Sequence, residues 1–311
     1  MNRGIKNSIA FWGQMIPLQL LKNRNHFPAF LPFYHVVSDV TLDYIDSYVV
    51  RTRKQFEAEL DYLLKYFKPV DLENIINSPA TTKMHLSFDD GLKECYSIIA
   101  PVLKRKGIPA TFFVCSGFVD NQQLFHRFKK AILESRGILP MGPKKYFIQD
   151  MNELDEIALK HEIDFSTYQP YMSLDEIMAL DADGFTIGAH SLNHPEMWTL
   201  SEEDQYRQVI ESMQWVIDHF QPNIKVFSFP FTDDGMTQSL FDRISASGQV
   251  DVTFGTAGLK YDSYPGHLQR IPVEQKQNWP IRKVIHFEYF YSFLRSIIGK
   301  NKVEHNGISV R

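Results

Sequence analysis

The sequence predicts an α/β fold, either a (β/α) barrel or an open parallel sheet, on three observations. Apolar runs of strand length alternate with stretches whose apolar residues recur at helical spacing. The polar residues best suited to chemistry fall at the far ends of those runs, where both architectures gather their sites. With 311 residues, 44% of them hydrophobic, the chain can bury a barrel-sized core. Residues 1–311 are read as a single domain.

The elements follow in order. Phe30 to Val37 reads as a buried strand that turns at Ser38-Asp39, and from Thr52 the apolar residues Phe56, Leu60, Leu63, Leu64 and Phe67 recur at helical spacing. Met84 to Phe88 is a short strand closed by Asp89-Asp90-Gly91. A helix is expected from there to Lys106, kinked or divided at Pro101. Gly107-Ile108-Pro109 stops it, and Ala110 to Val114 supplies the next strand. Between about 121 and 184 the alternation is suspended. Helical stretches at Phe125 to Glu134, Met151 to Lys160 and Leu174 to Ala182 make a largely helical insertion, which can line one end of a sheet. Phe185 to Ala189 resumes the strand pattern and delivers His190. Ser201, with Asp204 three residues on, caps a helix whose buried face includes Val209, Met213 and Phe220. A strand at Lys225 to Phe231, a helix at Leu240 to Ser247 and a strand at Asp251 to Gly255 follow. The late aromatics Phe287 to Phe293 read as helix-to-barrel packing. A polar C-terminal tail begins at about 300.

Composition excludes several classes of partner. A formal charge of -4 and no basic stripe give no reason to expect nucleic acid. Cys95 and Cys115 are the only cysteines, which argues against a disulfide framework and fits buried free thiols. The apolar segment from Ile5 to Leu21 is interrupted by Lys6, Gln14, Pro17 and Gln19, too broken for a membrane span. It reads as an amphipathic or packed segment, with membrane-surface contact or export as the alternatives to a cytoplasmic location.

Two motifs carry the chemistry. His190 and His194 stand at a strand end and a short turn beyond it, a spacing that lets two imidazoles converge on one ion. Asp89-Asp90 adds adjacent carboxylates at the end of an apolar strand, where they are costly unless ligated, paired or solvated. Neighbours in extended chain point in opposite directions, so one aspartate can ligate a metal while the other deprotonates the attacking water. Geometry does not say which does which.

Ser87-Phe88-Asp89-Asp90-Gly91, His190-Ser191-Leu192-Asn193-His194 and Phe227-Ser228-Phe229-Pro230-Phe231 resemble, in order, the first three motifs of the polysaccharide deacetylase family (NodB homology, carbohydrate esterase 4). Phe33 to Val37 and Gly107 to Val114 match the surroundings, and the likeness runs from Leu31 to Asp251. The resemblance implies a distorted (β/α) barrel forming one catalytic domain, and a divalent ion, commonly zinc, held by Asp90, His190 and His194. It makes Asp89 the general base in hydrolysis of an N-acetyl or N-formyl group on an amino sugar of a polysaccharide or its precursor. A main-chain N–H near Phe231 would stabilise the oxyanion, and Phe229, Pro230 and Phe231 would line the substrate groove.

The chain departs from the family pattern in three ways. Lys225 stands where an arginine often precedes the third motif, so the residue orienting Asp89 is not identified. Thr232-Asp233-Asp234-Gly235 follows the motif; its aspartates are either solvated turn residues or contacts to a sugar hydroxyl or amine, and Asp233 is the substrate-binding candidate. The late histidine that serves as general acid in the family is matched best by His286, with His267 as competitor, while His35 reads as a structural hydrogen-bonding residue. Two other functions stay open: a catalytically weakened carbohydrate-binding or assembly protein, and a hydrolase of small non-sugar amides.

Overall fold

The computed structural model describes residues 2–23, 27–46, 48–142, 145–274 and 278–307. Eight parallel strands form its centre: β1 (Pro32–Tyr34), β2 (Leu86–Phe88), β3 (Ala110–Val114), β4 (Thr186–Ala189), β5 (Val226–Ser228), β6 (Val252–Gly255), β7 (His267–Gln269) and β8 (Ile271–Pro272). The first six coincide with the strand-like runs of the sequence. β1 to β6 pair in chain order, β7 pairs with β6, and β8 pairs with β1. Only Arg270 separates β7 from β8, so this last segment begins on one edge of the sheet and ends on the other, closing it into a distorted (β/α) barrel. The β4–β5 ladder is thin, with the single register pair Ala189↔Phe227.

The strands are buried on both faces, as a parallel barrel wrapped by helices requires. Local chemistry sets the helix boundaries. Thr52 and Gln55 form a reciprocal capping box at the start of helix Arg53–Leu64. Ser201 accepts from the Asp204 N–H to start helix Glu202–Phe220. The helix after Gly91 is divided as Pro101 demands: a π-helical turn at Cys95–Ile99 leads into helix Ala100–Lys106, with the proline in its first turn, and Gly107 ends it at φ 63°.

The insertion contains helices His126–Ser135 and Met151–Lys160, packed through a satellite core of Leu133, Tyr146, Leu154 and Ala158. Helix Leu174–Ala182 differs from these two. Its Ile177 and Leu180 belong to the main core, so it serves as the crossover helix leading into β4.

At the amino end, helix Arg3–Gln14 lies against helix Ile281–Ile297, with Ala10 and Gly13 buried and Phe11, Trp12 and Met15 exposed. A Cβ at Gly13 would sit 2.7 Å from the His286 carbonyl oxygen, so the close approach of the two helices needs glycine there. No helix among the described residues is long and apolar enough to cross a membrane. Beyond residue 300, Lys302–Val303 pairs with Tyr261–Asp262 and His305 is buried; residues 308–311 of the tail lie outside the described residues. Cys95 and Cys115 are both buried free thiols.

Candidate active site

The C-terminal ends of the strands deliver the site. His35 follows β1, Asp89 and Asp90 follow β2, His190 follows β4, Phe229 and Phe231 follow β5, Thr256 follows β6 and Glu274 follows β8. All of them line one cavity of about 270 Å³. This is the barrel face where loops converge and chemistry is found.

Asp90, His190 and His194 meet there. Asp90 Oδ1 lies 3.2 Å from His194 Nε2 and 3.5 Å from His190 Nε2, and all three side chains are buried. His190 Nδ1 donates to the Ser228 carbonyl at 2.8 Å, which leaves Nε2 as the lone-pair nitrogen facing Asp90. His194 is wedged between the rings of Phe125 and Phe231, at centroid distances of 4.7 and 4.4 Å. The donor set fits a divalent ion on its own terms. It offers two imidazoles and a carboxylate within ligating reach of one another, and Asp90 Oδ1 is buried without a hydrogen-bond partner. Burial alone would push the Asp90 carboxyl up in pKa, but the His194 and His190 rings hold it well below the usual range.

The backbone is strained where it presents these groups. Asp90, Ser191, His194 and Phe231 all have left-handed φ, at 73°, 72°, 53° and 58°. Such non-glycine conformations cost about 1–3 kcal/mol each and persist only where the surroundings enforce them. The Ser191 hydroxyl contributes by accepting from the His194 N–H.

Asp89 faces a different partner. Arg270, at the β7–β8 junction, donates from Nη1 to Oδ1 and from Nη2 to Oδ2, each at 2.7 Å. Its Nη1 also reaches Ser87 Oγ, its Nη2 reaches Ser228 Oγ, and its guanidinium lies 4.3 Å from the Phe33 ring centroid. Burial would raise the Asp89 pKa, but the Arg270 charge, with the His190 ring and the Arg270 hydrogen bonds, outweighs it and holds the carboxyl below its usual range, which favours the ionised form. Asp89 and Asp90 thus have separate surroundings, one gripped by a guanidinium and the other grouped with two imidazoles.

His35 lines the same cavity and is paired through Nδ1 with Glu274 Oε2 at 2.7 Å. Glu274 also accepts from the His35 and Val36 N–H groups. Burial opposes protonation of His35, but the Glu274 hydrogen bond and the nearby carboxylates outweigh it and raise the pKa to about 9. The ring stacks on Tyr48 at 4.3 Å.

A family model for polysaccharide deacetylase matches residues 77–248, more than half of the chain. The chain belongs to the polysaccharide deacetylase family. Among solved structures, this family member is similar to the Streptococcus pyogenes deacetylase PplD in complex with acetate, at 14% identity and TM-score 0.57, over 85% of this chain and 99% of that one. It is similar to IcaB from Ammonifex degensii at 18% identity and TM-score 0.56, over 84% and 97% of the two chains. A de-N-acetylase from Aggregatibacter actinomycetemcomitans matches at 14% identity and TM-score 0.57, over 83% and 99%. These likenesses show the shared fold. Comparison with curated protein sequences finds no match.

Of the residues singled out from the sequence, the barrel brings together Asp89, Asp90, His190, His194, Phe229 and Phe231. Pro230 is buried beside them. Three histidine and aspartate expectations meet a different geometry. His286 lies on helix Ile281–Ile297 with its Nδ1 on the Gly13 carbonyl at 2.9 Å, facing the amino-terminal helix and not the cavity. His267 and Asp233 bond to one another at 3.1 Å, also outside the cavity lining. The expectation of a solvated turn at Asp233 is corrected, because the side chain is buried and bonded to His267, Gln269 and the Thr256 N–H.

Sequence reasoning missed Arg270, Glu274 and Arg127 and read His35 as structural. Arg127, from the insertion, places its guanidinium 3.9 Å over the Phe231 ring and pairs with Glu196 at 3.1 Å. The missing arginine before the third motif was the usable signal for Arg270, since a buried Asp89 needs a cation from somewhere.

Proposed function

We propose that this polysaccharide deacetylase family member removes an N-acetyl or N-formyl group from an amino sugar, using a divalent ion, zinc in our reading, at Asp90, His190 and His194. The observation that carries the proposal is that these three donors share a cavity with an ionised, arginine-held Asp89. When bound, such an ion polarises the acyl carbonyl and lowers the pKa of water.

The protein's own residues supply the rest. Asp89, kept ionised by Arg270, accepts a proton from the attacking water as its oxygen bonds to the acyl carbon. The Arg270 fork fixes the direction of the Asp89 carboxylate, so its free lone pairs are pre-aimed. His35, kept protonated by Glu274 on Nδ1, has Nε2 left to hand a proton to the departing nitrogen as the C–N bond breaks. The products are a free amine and acetate or formate. His35 takes the acid role expected of a late histidine because, among the described residues, it is the cavity-lining imidazole outside the metal triad. Phe125, Phe229 and Phe231 supply apolar wall and Arg127 a charged rim for the saccharide.

Acetate and formate release from a panel of N-acyl amino sugars and their oligomers, with protein of measured metal content, tests the proposal. Turnover on N-acyl sugars supports it; metal-replete protein that hydrolyses only small non-sugar amides refutes the substrate assignment.

A further inference from the structure

A second cluster of metal-ligating side chains lies outside the active-site cavity. Asp233 comes from the loop after β5, Asp262 from the short strand Tyr261–Asp262, His267 from β7, and His305 from the segment after Lys302–Val303. One ligand atom from each lies within 4.8 Å of all the others. His267 Nε2 is 3.1 Å from Asp233 Oδ2 and 4.0 Å from Asp262 Oδ2, and His305 Nε2 is 2.9 Å from Asp262 Oδ1. Neighbouring ligands of a tetrahedral zinc with bonds of about 2.0–2.1 Å stand about 3.3–3.4 Å apart, so this spacing needs only small side-chain adjustments.

We propose that Asp233, Asp262, His267 and His305 form a second divalent-metal site, closed and structural, that clamps the C-terminal segment to the barrel. Two imidazole nitrogens and two carboxylate oxygens favour zinc over the harder cations.

Three observations support the assignment. The first is burial: the four side chains are 0–4% exposed, so both carboxylates and both imidazoles are held out of bulk water. The second is the outer shell. Thr253 Oγ1 lies 2.7 Å from His267 Nδ1, which occupies that nitrogen and leaves Nε2 turned towards the two aspartates. The Thr256 and Tyr264 N–H groups donate to Asp233 Oδ1 and Asp262 Oδ1. Gln269 donates to Oδ2 of both aspartates, at 2.6 and 2.8 Å, while its own Oε1 accepts from the Ala257 N–H. The third is charge. Two buried carboxylates share one amide, and among the described residues neither forms an ion pair with lysine or arginine. A dication balances both, and removing the balancing charge from buried carboxylates is costly. Gly255 makes the room, because a Cβ there would lie 2.4 Å from the Asp233 carboxyl carbon.

Elemental analysis of the full chain, saturated with zinc and dialysed, gives the test. The wild type is expected to hold two equivalents, and a His190→Ala/His194→Ala variant one. Cobalt in that variant should show the visible absorption of a tetrahedral nitrogen-oxygen site, and added zinc should raise its thermal midpoint. Adding His267→Ala and His305→Ala should remove the remaining equivalent. The proposal is overturned if the His190→Ala/His194→Ala variant holds no zinc and its midpoint ignores the metal, because the cluster is then a metal-free histidine-aspartate network. Retention of the equivalent after all four substitutions overturns it as well. If the fourfold variant does not fold, the comparison of wild type with the twofold variant still decides.

Discussion

Arg270 grips Asp89 through two parallel hydrogen bonds of 2.7 Å, and the guanidinium comes from the residue at which the closing strand passes from one barrel edge to the other. Barrel closure and the orientation of Asp89 are therefore one structural event. Lysine keeps the charge but not the planar fork. Arg270→Lys should therefore fold and keep its metal while kcat falls about 10–100-fold, the scale expected of a misaimed catalytic group. Arg270→Met should be less stable by about 3–5 kcal/mol, because it leaves a buried carboxylate without its cation. Steady-state kinetics with metal analysis on the lysine variant, and denaturant unfolding of the methionine variant, check both expectations.

The His35–Glu274 pair predicts a pH signature. A proton donor works only while protonated, so activity should decline as pH rises through the His35 pKa, which Glu274 raises. Glu274→Gln removes that support, and the alkaline limb of kcat should move to lower pH. His35→Gln should lower kcat about 10²–10⁴-fold with metal content unchanged. An unshifted alkaline limb in Glu274→Gln contradicts the assignment.

Arg127 belongs to the insertion and touches the cavity through Phe231. Arg127→Ala should raise KM for oligosaccharides several-fold and change kcat little, because the guanidinium bonds to Glu196 and stacks on Phe231 at the cavity wall. A large fall in kcat at unchanged KM would place Arg127 in the chemistry instead.

His85 carries a stability prediction independent of catalysis. It is buried at the base of β2, with Nδ1 on the Val70 carbonyl and Nε2 on the Thr111 hydroxyl, and burial lowers its pKa to about 4. The folded state thus favours the neutral ring. Its contribution is complete above the unfolded value near 6.5 and is lost as pH falls towards 4, with about 3 kcal/mol at stake. Urea unfolding between pH 7 and 4 should show this loss, and His85→Asn should flatten that part of the profile.

The parts of this molecule legible in its sequence are those whose signal is local. Six barrel strands are short apolar runs ended by turn residues, and the metal triad sits in two short motifs at strand ends. The closing strand escaped because His267 to Pro272 mixes polar and apolar residues: one part pairs with β6, the other with β1, and Arg270 turns into the barrel between them. Arg270 and Glu274 lie 181 and 239 residues from Asp89 and His35, the side chains they serve, so nothing in the local pattern links them. His286 was misleading for a related reason. Its apolar neighbours Val284, Ile285 and Phe287 resemble an active-site motif, but they belong to the main core, and His286 itself is turned to the amino-terminal helix at Gly13.

The division of labour between Asp89 and Asp90 is the centre of the account, and one variant tests it most directly. Asp89→Asn, loaded with zinc, should hold the same metal in the Asp90, His190 and His194 site as the wild type while acetate release from N-acetyl amino sugars falls about 10²–10⁴-fold. Wild-type turnover in that variant, or loss of the triad's metal with turnover tracking occupancy, would contradict it.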